Sequence, residues 1–207
     1  MKISAILLAA GESTRMGSPK PLLDWFGMPL VQSQIDSLLD AGVNSVFVVT
    51  GHRAYEVREA IKGNRVQTVV NPNYKEGKST SVKAGLAALP DNIDAIVLLA
   101  VDQPRPSWLI KQVLDAHIAR KAVISCPRYE GHGGHPLIFD VGLMLELDRI
   151  SEHSHGVRAV MRNHSDEINW VETDSPVARL DMNTSDAYEA AREVYAANER
   201  PAHDEAN

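Results

Sequence analysis

The chain has 207 residues, 44% of them hydrophobic and 23% charged, which suits one folded domain with a substantial core. Twenty-seven acidic against 21 basic side chains leave a formal net charge of −6, without the basic excess by which nucleic-acid binders neutralise phosphates. The longest apolar runs, such as Ala95–Val101, are too short to span a bilayer, and the single cysteine, Cys126, excludes an internal disulfide, so no membrane and a reducing cytoplasm are expected.

The first predicted element is a strand over Ile3–Ala9. Its start, MKISAILLAAG, carries one lysine and a short apolar stretch in the manner of a leader peptide, but cleavage there would destroy the strand, so that reading is rejected. The strand opens at Ala10-Gly11 into a loop whose only cations are Arg15 and Lys20. A strand running into a glycine-containing loop exposes backbone N–H groups at its carboxyl end. With two cations beside them, these groups form a cradle for a polyphosphate. The spacing is neither that of a Walker loop, since five residues separate Gly11 from Gly17 and Lys20 follows Pro19, nor that of GxGxxG, which disfavours an ordinary dinucleotide fold. The plainer alternative is a turn-rich loop with two solvated cations.

Helical periods follow at Pro29–Ala41, Ala54–Ile61, Ser79–Leu89 and Pro106–Ala119, alternating with strand-like runs at Ser45–Thr50, Val66–Val70, Ala95–Ala100 and Ala122–Ser125. Uniformly apolar strands separated by helices predict a mostly parallel sheet buried on both faces, hence an α/β fold. The second half is less regular. A strand is expected at Pro136–Phe139, short helices at Val141–Leu147 and Val157–Arg162, a strand at Ile168–Val171, and a last helix at Asp186–Ala197 after a capping Asn-Thr-Ser. Residues 1–198 read as one domain and the polar tail, 199–207, as disordered. Cys126, in a strand-like run, reads as a small buried hydrophobe.

In open α/β sheets, ligands bind beyond the carboxyl ends of the strands, so the loops there are searched for chemistry. Asp102 directly follows the strand Ala95–Ala100, at the same end of the sheet as the first loop. A carboxylate there suits Mg²⁺, with a helix N-cap as the alternative role. In Leu180-Asp181-Met182-Asn183-Thr184, an extended chain puts Asp181 and Asn183 on one face; either completes a metal shell with Asp102, or both cap the last helix. Glu76-Gly77-Lys78-Ser79-Thr80-Ser81 feeds a helix N-terminus, with Ser79 and Ser81 available to cap it or to contact a ligand. Gly131-His132-Gly133-Gly134-His135-Pro136 allows close backbone approach, and zinc is disfavoured because no further Cys or His stands at ligand spacing.

Together LAAGESTRMGSPKPLL, VDQP, GKSTSVKAGL, GHP and DMNTSD are similar to the MobA-like nucleotidyltransferases, over about residues 3–195, and most of all to the branch that uses molybdenum cofactor and cytidine nucleotides. DMNTSD has Ser185 where the family ending usually has Pro. The resemblance implies a three-layer Rossmann-like α/β fold and Mg²⁺-dependent transfer of a nucleotidyl group, Mn²⁺ being the alternative metal. Carried over by position, Leu8, Ala9, Ala10 and Gly11 meet the base and phosphates, Arg15 and Lys20 the triphosphate. Asp102 holds the metal with Asn183 or Asp181. Lys20, Arg15 and Asp102 thus carry the catalysis. Gly77, Ser79, Ser81, Gly134 and His135 fall on the acceptor side. Ala10 and Pro19, in place of the Gly and Asp of the guanine-using branch, favour CTP over GTP. The implied partners are CTP, molybdenum cofactor and an apo molybdenum hydroxylase as recipient. The rival readings are a transferase using GTP or another phosphorylated acceptor, and a molybdenum cofactor-binding maturation chaperone.

Overall fold

The computed structural model describes residues 1–199, apart from the side chain of Arg15; all of the expected tail, 199–207, except Glu199 lies outside the described residues. In chain order the first half contains β1 (Ile3–Ala9), the two-residue strands β2 (Asp24–Trp25) and β3 (Met28–Pro29), α1 (Leu30–Asp40), β4 (Ser45–Thr50), α2 (Ala54–Glu59), β5 (Val66–Val70), α3 (Lys78–Ala87), β6 (Ala95–Ala100) and α4 (Ser107–Arg120). The second half contains β7 (Ile124–Tyr129), β8 (His132–Gly133), β9 (Leu137–Asp140), α5 (Met144–Asp148), α6 (Val157–Asn163), β10 (Ile168–Glu172) and α7 (Ser185–Ala197).

The main sheet runs β10-β7-β9-β6-β1-β4-β5, with β8 paired outside this path to β7. β1 is buried along its whole length and pairs in parallel with both β4 and β6. Successive β1 side chains divide between two cores, as strand geometry requires. Ile3, Ala5 and Leu7 face the apolar stripes of α1 and α4, whereas Ile6 and Leu8 face Val82 and Leu86 of α3 and Leu147 of α5. The result is a three-layer α/β arrangement on a mostly parallel sheet, as the alternating pattern predicts. Among the described residues no helix is long and apolar enough to cross a membrane.

The expectations fail where the sheet leaves the repeating pattern. β5 is only partly covered, with Val70 63% exposed, because it is the edge strand and its crossover helix α2 has six residues. β9 runs antiparallel to both β6 and β7. That reversal brings the start of β9, and with it Gly134-His135, to the edge of the sheet where β6 ends. The strand expected at Ala122–Ser125 instead begins at Ile124 and continues to Tyr129. It does so through Pro127, which lies beyond the two residues that pair with β9. The helix expected at Val141–Leu147 divides into a 3₁₀ turn capped by Asp140 and the short α5. The β2–β3 hairpin was not expected; Phe26 and Gly27 take positive φ at its turn, and Trp25 is buried beneath it against Tyr195.

Candidate active site

β1 and β6 are neighbours in register, Leu8 opposite Ala100. The loops that follow them therefore emerge side by side, and Val101 N–H donates to the Leu8 carbonyl at 3.0 Å. Met182 N–H donates to the Asp102 carbonyl at 2.9 Å, which draws the 181–183 segment onto the same edge. Lys20 begins a 3₁₀ turn, and its backbone N–H is held by Ser13 Oγ at 2.9 Å. Its ammonium donates to Asp102 Oδ2 and to Asn183 Oδ1, each at 2.8 Å. Since an ammonium only donates, Asn183 must turn its carbonyl oxygen to Lys20, and its amide NH₂ goes to Asp181 Oδ1. Three segments far apart in the chain thus converge on one cation. The side chains of Lys20 and Asp102 are only 11% and 25% exposed, so solvent screens their attraction less than at an open surface.

This cluster borders a cavity of about 240 Å³ lined by Leu8, Ala9, Ala10 and Gly11, with Gly77 and Ser81 also on its wall. A second cavity of about 670 Å³ adjoins it, and Leu8, Lys78 and Ala100 line both. Ser79, Gly134, His135 and Asp181 line the larger one. The five residues expected on the acceptor side are therefore divided between the two spaces. The Ser81 hydroxyl accepts from the Asn71 amide at 3.0 Å, within a buried polar network. Ser79 does not cap α3. Its N–H instead donates to Glu152 Oε1 at 2.7 Å, so a carboxylate from the loop before α6 covers that helix end. Hydrogen bonds from Ser79, the backbone N–H foremost, hold the Glu152 carboxyl below the usual range. Asp102 and Asn183 do not cap helices either; α4 begins after Pro106, and Thr184 caps α7 through Ala187 N–H.

Burial, reinforced by the charges of Arg105, Lys78 and Arg158, pushes His135 down to about 3. Its ring is therefore neutral at physiological pH and available as a hydrogen-bonding group on the wall of the larger cavity. Cys126 lies on the same wall as a buried thiol that donates to the Gly134 carbonyl at 3.1 Å, and burial raises it to about 11. It serves as the small hydrophobe expected, not as a nucleophile. The side chain of Arg15 lies outside the described residues.

Arg105 escaped the sequence reading. It is 1% exposed, and its guanidinium donates to the carbonyls of Pro104 at 2.8 Å, His135 at 2.8 Å and Leu180 at 3.0 Å. Burial lowers it to about 9, with the nearby carboxylates of Asp181 and Asp102 pulling the other way. One side chain thus ties together the loop after β6, the loop before β9 and the segment bearing Asp181 and Asn183. The available signal was a cation between two prolines, directly after Asp102-Gln103. Glu152, Met161 and Trp170, which also line the larger cavity, come from the loop before α6, from α6 and from β10, and carry no motif.

Among the described residues there is no cluster of three His, Cys, Asp or Glu side chains. Mg²⁺, however, is commonly held by one or two carboxylates together with substrate phosphates. Asp102 and Asn183 offer hard oxygen donors of that kind, and both already point at one cation, the Lys20 ammonium. The donor set fits.

The profile of the MobA-like NTP transferase domain matches residues 5–168. A nicotine blue oxidoreductase of Paenarthrobacter nicotinovorans is 31% identical over 169 residues, 77% of this chain and 81% of its own. A molybdenum cofactor cytidylyltransferase of Escherichia coli is 28% identical over 200 residues, 93% of this chain and 97% of its own. Among solved structures, Rv0371c of Mycobacterium tuberculosis is 26% identical and superposes with a TM-score of 0.81 over 93% of this chain and 98% of that one. The same protein has a structure in complex with manganese. The chain also matches bifunctional proteins over about a quarter of their own length.

Proposed function

The chain belongs to the MobA-like NTP transferase family, and on that premise we propose that it transfers CMP from CTP to the terminal phosphate of molybdenum cofactor. The observation that carries this reading is the convergence of Lys20, Asp102 and Asn183 beside the Ala9–Gly11 loop. The cytidylyltransferase relative, which extends over nearly the whole chain, supports the choice of acceptor. Ala10 and Pro19 support the choice of CTP.

In this reading the Ala9–Gly11 loop receives the nucleotide, and Lys20, with Arg15, neutralises the triphosphate. An oxygen of the acceptor phosphate attacks the α-phosphorus in line. The bond from that phosphorus to the bridging oxygen breaks, and pyrophosphate leaves with the electron pair. The attacking phosphate is already ionised at pH 7, so no general base is needed. A divalent metal, Mg²⁺ or Mn²⁺, would be held by Asp102 and Asn183, with Asp181 behind Asn183, and would supply charge stabilisation to the phosphate oxygens. Ser79, Gly134 and the neutral His135 hold the acceptor in the larger cavity without adding charge beside its phosphate. The product then passes to an apo molybdenum hydroxylase.

The test incubates the protein with Mg²⁺, molybdenum cofactor and each NTP in turn and measures pyrophosphate. Release with CTP supports the reading; release with GTP alone overturns the base assignment. Absence of release with any NTP, despite tight cofactor binding, indicates a chaperone. The 31% identical relative favours a second reading, an oxidoreductase. That alternative predicts a change in the absorbance of nicotine blue on its oxidation or reduction and no pyrophosphate from any NTP.

A further inference from the structure

Tyr74 has no part in the chemistry above, yet it is the one aromatic residue among the described lining of the smaller cavity. It stands in the turn that precedes α3 and is half-buried. Its seat is Gly51, at the end of β4. A Cβ added there would lie 2.6 Å from Tyr74 Cγ and 2.7 Å from Tyr74 Cβ, closer than side-chain atoms approach one another, so the ring rests on bare backbone. The flanking segment is anchored. Asn71 donates to the hydroxyls of Thr80 and Ser81 at 2.9 and 3.0 Å, and Thr80 Oγ1 donates to the Asn73 carbonyl at 3.0 Å. His52 N–H, next to Gly51, donates to the Ala10 carbonyl at 3.1 Å, which fixes the seat of the ring relative to the first loop.

We propose that Tyr74 is a nucleotide-binding residue whose ring stacks on the base of the NTP, with Gly51 as its positioning residue. The inference rests on the nucleotide reading of the smaller cavity. Where the first loop leaves its strand, Ala9, Ala10, Gly11 and Ser13 line that cavity with small side chains or none, and Leu8, Pro21 and Lys20 complete the loop's share of the wall. An anchored aromatic ring sharing a cavity with them leaves room for a flat group. The phosphates are already provided for by Lys20 and the backbone of the loop, and the base still needs an apolar surface. Every base presents a π-face, so stacking supplies affinity without choosing the base. Selection is left to the residues that meet its edge.

The experiment is calorimetric titration of CTP, GTP and inorganic tripolyphosphate into the full chain with Mg²⁺. In the wild type the nucleotides bind more tightly than tripolyphosphate. Tyr74→Ala weakens both nucleotides by about 5- to 150-fold, the usual range for loss of one base–aromatic stack, and leaves tripolyphosphate unchanged. Tyr74→Phe restores nucleotide affinity, because the ring and not the hydroxyl does the stacking. Gly51→Ala reproduces the loss with Tyr74 still present. Tight CTP binding by Tyr74→Ala overturns the inference and leaves the proposed function standing. Failure of the wild type to prefer nucleotides over tripolyphosphate overturns the nucleotide assignment of the cavity itself.

Discussion

The two adjoining cavities share Leu8, Lys78 and Ala100 but are built in different ways. The smaller draws most of its wall from backbone and short side chains at the ends of β1 and β6, the parallel strands at the centre of the sheet. The larger draws on side chains from the loop before β9, from the loop before α6, from α6 itself and from β10. A phosphate-bearing group needs N–H donors and a cation at one place, and a single strand–loop junction supplies these. A bulky acceptor needs area, which only several elements brought together can provide.

The largest effect is expected for Lys20→Ala, which on the proposed function removes a charge-assisted contact made mainly in the transition state. Steady-state pyrophosphate release should fall by about two to three decades, or about 2–4 kcal/mol. Near-normal turnover would mean that the smaller cavity is not where the chemistry occurs. Arg105→Met acts on both cavities at once, since it leaves the carbonyls of Pro104, His135 and Leu180 without their donor. Each unsatisfied buried group costs about 1–3 kcal/mol, so with three of them thermal unfolding should show a loss of at least about 3 kcal/mol.

Gly134→Ala is directed at the larger cavity alone. A Cβ at Gly134 would lie 2.1 Å from the Ala178 carbonyl oxygen, which is backbone and cannot swing aside. The expected cost is about 1–3 kcal/mol of stability and, on the proposed function, a rise in KM for the acceptor greater than that for CTP. An equal rise in both would dissolve the distinction between the spaces.

The smallest effect concerns the contact of α5 with the end of α6, the helix that supplies Val157 and Met161 to the larger cavity. His164, just after α6, bonds Glu146 of α5 at 2.8 Å and Glu167 at 2.7 Å, and these two carboxylates, Glu146 first, raise its pKa. A group raised on folding stabilises fully below its unfolded value, near 6.5, and loses that contribution as pH climbs through the folded value. The unfolding temperature of the wild type should therefore exceed that of His164→Gln at pH 5.5 and converge on it by pH 8.5. The difference should stay below about 1 kcal/mol, because the carboxylates are partly exposed.

The contrast between the cavities also explains what was legible in the sequence. The bounds of β1, β4, β5 and β6 follow directly from apolar runs with turn residues at their ends. That Lys20, Asp102 and the 181–183 segment meet at one edge of the sheet was readable because each lies in a short motif whose place relative to a strand or helix is local information. The direction of β9 was not readable, since an apolar run of that length has the same pattern either way. Ser79 and Ser81 look equivalent in sequence, but two residues on a helix differ by about 200° around its axis, and the two serines line different spaces. Arg105 was passed over because a cation flanked by prolines usually belongs to an exposed turn, and only the three-dimensional meeting of three carbonyl-bearing segments makes its burial tolerable.

That meeting has a consequence for how the chain tolerates change. Because Arg105 donates at once to the loop after Asp102, the loop holding His135 and the residue before Asp181, a shift in any one of them alters the donor shared by the other two. Substitutions in the two cavities should therefore be non-additive although they fall on separate walls. Double-mutant cycles between Lys20 and Gly134 would carry a coupling energy in the wild-type background and lose it when Arg105 is replaced. A change in the group that the larger cavity admits would then have to be accommodated in the smaller cavity as well.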